Sequence, residues 1–171
     1  MLFIDPHQDR WRSWSDEVDT ASRRNKPEAA NHRLLTLSQW RLVRNDLADN
    51  RAAGLQLGVL LPNDADEREL APDLPHLALI ALQFPKWTDG RAYSQARTLR
   101  ARLGFGGQIR ATGEVLVDML PLLQRTGFDA VQLRADQRLS SAQRALRFFA
   151  AHYQGDTTEP RPAFRREAVA A

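Results

Sequence analysis

From Leu55 onward the sequence switches repeatedly between two hydrophobic periods, and this switching restricts the possible fold more than any other feature. Short apolar runs at 57–61, 77–82, 108–111 and 128–133 read as strands, and each is followed by residues at helical spacing. Strands and helices that alternate across connections of a few residues predict right-handed crossovers, hence a parallel sheet with helices packed against it. The run at 77–82 is apolar on both faces, as a central parallel strand should be. The expected class is α/β, built from repeated β-α units as a half (β/α)-barrel or a flavodoxin-like sheet.

The helices follow from stripes and caps. A first helix is expected from Ser38, with Leu37 and Leu42 as a hydrophobic staple and Trp40, Val43 and Leu47 on one face. Residues 64–70 read as a short acidic helix or turn whose exit is bracketed by Pro72 and Pro75. A helix over 91–103 directs Ala92, Ala96, Leu99 and Leu103 to the core, and Gly104, Gly106 and Gly107 end it. The next runs to Arg125 with Leu116, Leu120 and Leu123 inward, and Pro121 is expected to kink it or break it early. Ser140 with Gln143 reads as a capping box for a last helix carrying Ala142, Ala145, Leu146, Phe149 and Tyr153 inward. Residues 2–4 suggest one short strand before Pro6, whereas 15–33 are polar and lack a period, with Trp11 and Trp14 as anchors. The expected organisation is an irregular N-terminal arm over 1–34, a single α/β domain over 35–153 and a disordered tail over 154–171.

Composition removes several function classes. The 171-residue chain is 43% hydrophobic and 26% charged, enough for one ordinary core. It has no cysteine, which excludes disulfides, thiolate nucleophiles, cysteine-ligated clusters and zinc ribbons. The pI near 9.9 overstates the charge, which is only +3. All but two of the 24 basic residues are arginine, the exceptions being Lys26 and Lys86, and arginine raises the pI without adding charge at pH 7. No nucleic-acid motif accompanies these arginines. The N-terminus turns polar after four residues and no apolar run is long enough to span a bilayer, so the expectation is a cytoplasmic protein without nucleic-acid or membrane partners.

Sites in open parallel α/β folds form where strands end and helices begin. Three such loops crowd one rim: Lys86 to Ser94, Arg110 to Glu114, and Arg134 to Arg138. Lys86 to Arg110 holds six basic residues against one acid, Asp89. Together with helix N-termini, this predicts a cationic rim suited to an anionic small molecule. The candidate ligand-binding residues are Asp89, Arg91, Tyr93, Ser94, Arg97, Arg110 and Glu114. The plainer alternative has Arg97, Arg100 and Arg102 in solvent, Asp89 capping its helix beside an arginine, and Arg110 paired with Asp118 or Asp129. Catalytic templates fail. Gly-Phe-Gly-Gly at 104–107 precedes a strand and is a turn, not a dinucleotide fingerprint. There is no P-loop, Ser94 has no histidine base, and the four histidines share no metal-ligand spacing. Catalytic residues and cofactors stay unassigned, and no metal is expected.

One resemblance adds to this. Phe84-Pro85, Asp89-Gly90-Arg91, Tyr93-Ser94, Ala96-Arg97, Leu99-Arg100, Gly107, Arg110-Ala111, Gly113, Val115-Leu116, Asp118 and Gly127-Phe128-Asp129 follow a recurring pattern. In that respect the chain, from about Trp11 to Tyr153, resembles a bacterial family of unknown function whose members are commonly labelled probable oxidoreductases of sulfite reduction. The label reflects genes that accompany assimilatory sulfite reductase. Thr126 stands where the family usually has Cys, and Leu120-Pro121-Leu122 where it commonly has a polar helix without proline. The resemblance implies an accessory role in sulfur assimilation with sulfite reductase as a partner. The alternatives are a small enzyme acting on an anionic metabolite through Asp89, Arg91, Tyr93 and Arg110, or a purely structural interaction module.

Overall fold

The computed structural model describes residues 1–14, 31–46, 54–148 and 152–165. Among the described residues the chain forms one parallel sheet of seven strands. They are β1 (Leu2–Phe3), β2 (Arg12–Ser13), β3 (His32–Thr36), β4 (Gln56–Leu61), β5 (Leu77–Phe84), β6 (Gln108–Gly113) and β7 (Ala130–Val131). The order across the sheet is β1-β7-β6-β5-β4-β3-β2. From β2 to β7 the strands lie in chain order, without the reversal that marks a doubly wound, flavodoxin-like sheet. The sheet curls into a half-barrel. Its edges, β1 and β2, are joined by only eight residues, 4–11.

The helices are α1 (Leu37–Val43), α2 (Arg91–Arg97), α3 (Leu120–Thr126) and α4 (Leu139–Ala145). All four face the same side of the sheet. Leu57, Val59 and Leu61 of β4, Ile80, Leu82 and Phe84 of β5, and Ile109 and Ala111 of β6 share a core with helical Trp40, Ala92, Ala96, Leu99, Leu123 and Ala142. The alternating positions Gly58, Leu79, Ala81, Arg110 and Ala130 belong to the other, inner face. That face is closed by the 4–11 loop. Trp11 lies across β4, where a Cβ on Gly58 would sit 2.9 Å from its ring and 3.0 Å from Leu79. Glycine is needed there for the ring to approach the strand so closely.

Several local expectations are corrected. The arm is partly sheet: β1, β2 and the start of β3 all lie within 1–34, and β2 and β3 had no alternating pattern to announce them. Residues 15–30 of the arm, Leu47 of the first helix and Phe149 of the last lie outside the described residues. The cap of α1 is Thr36, not Ser38. Its hydroxyl accepts from the Gln39 amide at 3.3 Å and its own amide donates to Gln39 Oε1 at 2.9 Å. The staple is absent, with Leu42 82% exposed.

Glu67–His76 is a 3-10 helix containing both Pro72 and Pro75, because the prolines deny it the amides an α-helix needs. Pro121 does not kink α3. The regular helix begins only at Leu120, after a 3-10 turn at Val117–Met119, so Pro121 falls in its first turn, where it is tolerated. The helix at 91–103 is α-helical to Arg97 and then widens to a π-turn, Thr98–Arg102, closed by Leu103 N–H donating to Thr98 O at 3.0 Å. The last helix starts at Leu139 without a side-chain cap, so Ser140 lies inside it. Tyr153 is exposed and packs on Phe164. Part of the expected tail is docked: the amide and hydroxyl of Thr157 both donate to Arg125 O, at 3.2 and 3.1 Å.

Candidate functional site

The rim at the carboxyl ends of the strands collects four loops, after β4, β5, β6 and β7. Gln95 of α2 ties the first of them down. Although polar, it is 4% exposed, and its Nε2 donates to Pro62 O and Ala65 O, both at 2.9 Å. In the sequence Gln95 sits at core spacing between Ala92 and Leu99. That position was the available signal, and its polarity hid it.

In the loop after β5, Asp89 and Arg91 pair with each other. Arg91 donates through its backbone amide at 3.2 Å and through Nε at 3.0 Å to Asp89 Oδ1, and through Nη2 to Oδ2 at 2.7 Å. The Arg91 side chain, and next its backbone amide, hold the Asp89 carboxyl well below the usual carboxylate range. Glu114, after β6, accepts from Arg134 Nη1 at 2.7 Å. Arg134 also forks onto Asp136, with Nε and Nη2 at 2.7 and 2.8 Å, and so lowers that carboxyl to about 2. Each arginine and carboxylate among these five already has its counter-ion.

Tyr93 and Ser94 do not join them. Tyr93 packs edge-on against Phe84 and Phe128, with ring centroids at 5.2 and 6.4 Å, and burial raises its phenol pKa. It is a wall of the core beneath the loop. Ser94 and Arg97 are exposed on α2. Arg100, on the π-turn, does not point to solvent: its Nε donates to Gly127 O at 3.0 Å and its guanidinium reaches Phe105 O and Asp129. This clasp joins the end of α2 to the turn that starts β7. Thr126, at the end of α3, turns its hydroxyl back to Leu122 O at 2.9 Å, an ordinary way of satisfying a last-turn carbonyl.

Arg110 lies elsewhere. It is three residues before the end of β6, about 10 Å below the rim at strand rise, and on the inner face, away from α2. It is 3% exposed. Its expected partners were Asp118 or Asp129; the actual one is Asp9 from the 4–11 loop, with Nη1 to Oδ2 at 2.5 Å. Gln108 Oε1 accepts from Nη2 at 3.1 Å, and Nε is buried without a hydrogen-bond partner. Asp9 is positioned in turn by the Trp11 amide at 3.2 Å. A cavity of about 380 Å³ opens beside this pair, bounded by β1, the 4–11 loop and β6. The expected site therefore divides in two, a rim of paired charges and an inner-face cavity with a buried arginine. Arg91, Ser94 and Arg110 cannot share one anion.

The loop between Phe84 and Asp89 is the open part of the rim. Pro85, Lys86, Trp87 and Thr88 are all exposed, and the Trp87 ring stands 56% exposed. Lys86 forms no ion pair among the described residues. No described helix is long and apolar enough to cross a membrane.

Residues 58–164 match the model of a family described as bacterial protein of unknown function, DUF934. The match begins two residues into β4 and includes the rim loops and β6, but not β1, the 4–11 loop or β2. No curated protein matches the chain.

Proposed function

The chain belongs to this bacterial family of unknown function, and from that premise we propose that it is a non-catalytic accessory of assimilatory sulfite reduction that docks sulfite reductase through its rim. The observation that carries the reading is Trp87, a large aromatic side chain more than half exposed on a loop whose neighbours are also exposed. Tryptophan beside a cation is the composition of a binding hot spot, because burying the ring on a partner removes a large apolar area from water at little conformational cost.

The rest of the rim favours contact over chemistry. A general base or acid works best with its pKa near the operating pH. Asp89 and Asp136 are held in the opposite direction by Arg91 and Arg134. The four residues that an enzyme acting on an anionic metabolite would combine are separated, with Tyr93 in the core and Arg110 on the inner face. An anion at Arg91 or Arg134 would have to displace Asp89 from the first, or Glu114 and Asp136 from the second. Lys86, Arg97 and Arg138 are cations of this region that form no ion pair among the described residues.

The test is genetic. In a bacterium that carries the gene, deletion is expected to slow growth on sulfate as sole sulfur source. Wild-type chain restores growth; Trp87→Ala, which removes no core contact, does not. Unchanged growth after deletion, or full rescue by Trp87→Ala, contradicts the proposal.

A further inference from the structure

We propose that the inner-face cavity binds a small organic monoanion, a carboxylate or sulfonate with a short apolar tail, which accepts a hydrogen bond from Arg110 Nε and packs its tail on Phe3, Ile4 and Trp11. The site does not depend on the role of the rim, which lies at the carboxyl ends of the strands, whereas the cavity is on the inner face.

Arg110 supplies the polar anchor. It is 97% buried by its 3% exposure, it lines the cavity, and its Nε–H has no partner although Nη1 and Nη2 are engaged by Asp9 and Gln108. A buried guanidinium donor left open is costly unless something fills the place. Water can satisfy the donor but leaves the apolar wall of Phe3, Ile4 and Trp11 wet. A ligand with one acceptor end and one apolar end satisfies both.

Charge narrows the ligand further. The lining carries two carboxylates, Asp5 and Asp9, and two guanidiniums, Arg10 and Arg110, so its formal charge cancels. A single negative charge that shares the Arg110 fork with Asp9 is tolerable in such a place. A dianion such as sulfate or hydrogen phosphate in its doubly charged form brings a second charge with no partner, and desolvating it is expensive. A cation gains nothing from the open Arg110 Nε–H, which can only donate. The volume, about 380 Å³, is at the small end of ligand pockets and fits a compact molecule.

Calorimetric titration of the purified full chain at neutral pH tests this with four probes: butyrate, butane-1-sulfonate, butylammonium and inorganic sulfate. Butyrate or butane-1-sulfonate is expected to bind at one site with a dissociation constant of about 1 mM or tighter. Whichever binds more tightly identifies the head group. Butylammonium and sulfate are expected to bind at least about tenfold more weakly. Ile4→Trp puts a bulky ring into the cavity and keeps both members of the Asp9–Arg110 pair, and the paired variant Asp9→Asn with Arg110→Gln removes the anchor and its counter-ion together. Each is expected to weaken binding by about tenfold or more. The proposal is overturned if neither organic anion gives saturable binding to the wild-type chain, if sulfate binds as tightly as they do, or if Ile4→Trp binds them unchanged. Should the paired variant not fold, Ile4→Trp alone decides the outcome.

Discussion

Arg110 changes its meaning most between sequence and structure. Alternation along a short strand puts it opposite Ile109 and Ala111, and this much was legible. Its counter-ion was not, because Asp9 is 101 positions away and arrives on a loop with no periodicity. The pair is buried, so truncating one partner strands the other: Arg110→Ala is expected to cost about 3–5 kcal/mol in denaturant unfolding. The paired variant Asp9→Asn with Arg110→Gln should cost clearly less than the two single changes summed. Additive costs would show that the two side chains do not interact. At the rim, Asp136 makes a pH prediction. Its carboxyl is lowered from 3.8 to about 2 by Arg134 first, with Gln137 adding to the effect. A carboxyl with a depressed pKa in the folded state favours folding above its unfolded value, and that contribution is lost as pH falls from about 4 through about 2. The side chain is solvent-exposed, so the effect on stability is small and the titration is the better readout. Carboxyl-carbon NMR is expected to give a midpoint of about 2 that moves back toward 3.8 in Arg134→Ala. An unchanged midpoint would break the assignment.

Among the elements, strands with continuous apolar runs were found and strands without them were missed. β4 and β5 were read nearly to their ends because Leu, Val, Ile and Ala crowd them, and β6 was legible from Ile109 and Ala111 on either side of Arg110. β2 and β3 have Arg12, Ser13, His32 and Arg33 in their place, and pairing with neighbouring strands, not hydrophobic pattern, makes them strands. The start of α1 was misplaced because two capping residues, Thr36 and Ser38, compete there. The turn after β6 is fixed by backbone geometry. Gly113 has φ +93, and a Cβ there would meet Phe84 O at 2.4 Å. Gly113→Ala is therefore expected to destabilise by more than about 1 kcal/mol, detectable as a lowered urea midpoint. A neutral result would mean that the β5–β6 ends can separate freely. Gln95→Leu removes two hydrogen bonds to the loop after β4 and leaves the Pro62 and Ala65 carbonyls without that donor. A loss of about 1–3 kcal/mol follows, with hydrogen exchange speeding up in residues 62–66 before elsewhere.

For the whole molecule, the order of short elements sufficed for a parallel α/β sheet with helices against it, while the choice between half-barrel and flavodoxin-like sheet needed the strand order. That order depends on β1 returning beside β7, a long-range pairing with no local signature. The same curl separates the two surfaces that had seemed to be one site. Arg91 and Arg110 are only 19 positions apart, but they sit on opposite sides of the sheet, and their carboxylate partners, Asp89 and Asp9, come from different segments. Trp87 is left as the feature of the rim that no internal contact explains. Its central test is surface plasmon resonance of immobilised sulfite reductase against the purified chain, in wild-type form and as Trp87→Ala. Saturable wild-type binding is predicted, weakened by at least about tenfold, or about 1.4 kcal/mol, in Trp87→Ala. No wild-type binding, or equal binding by both forms, would contradict the account.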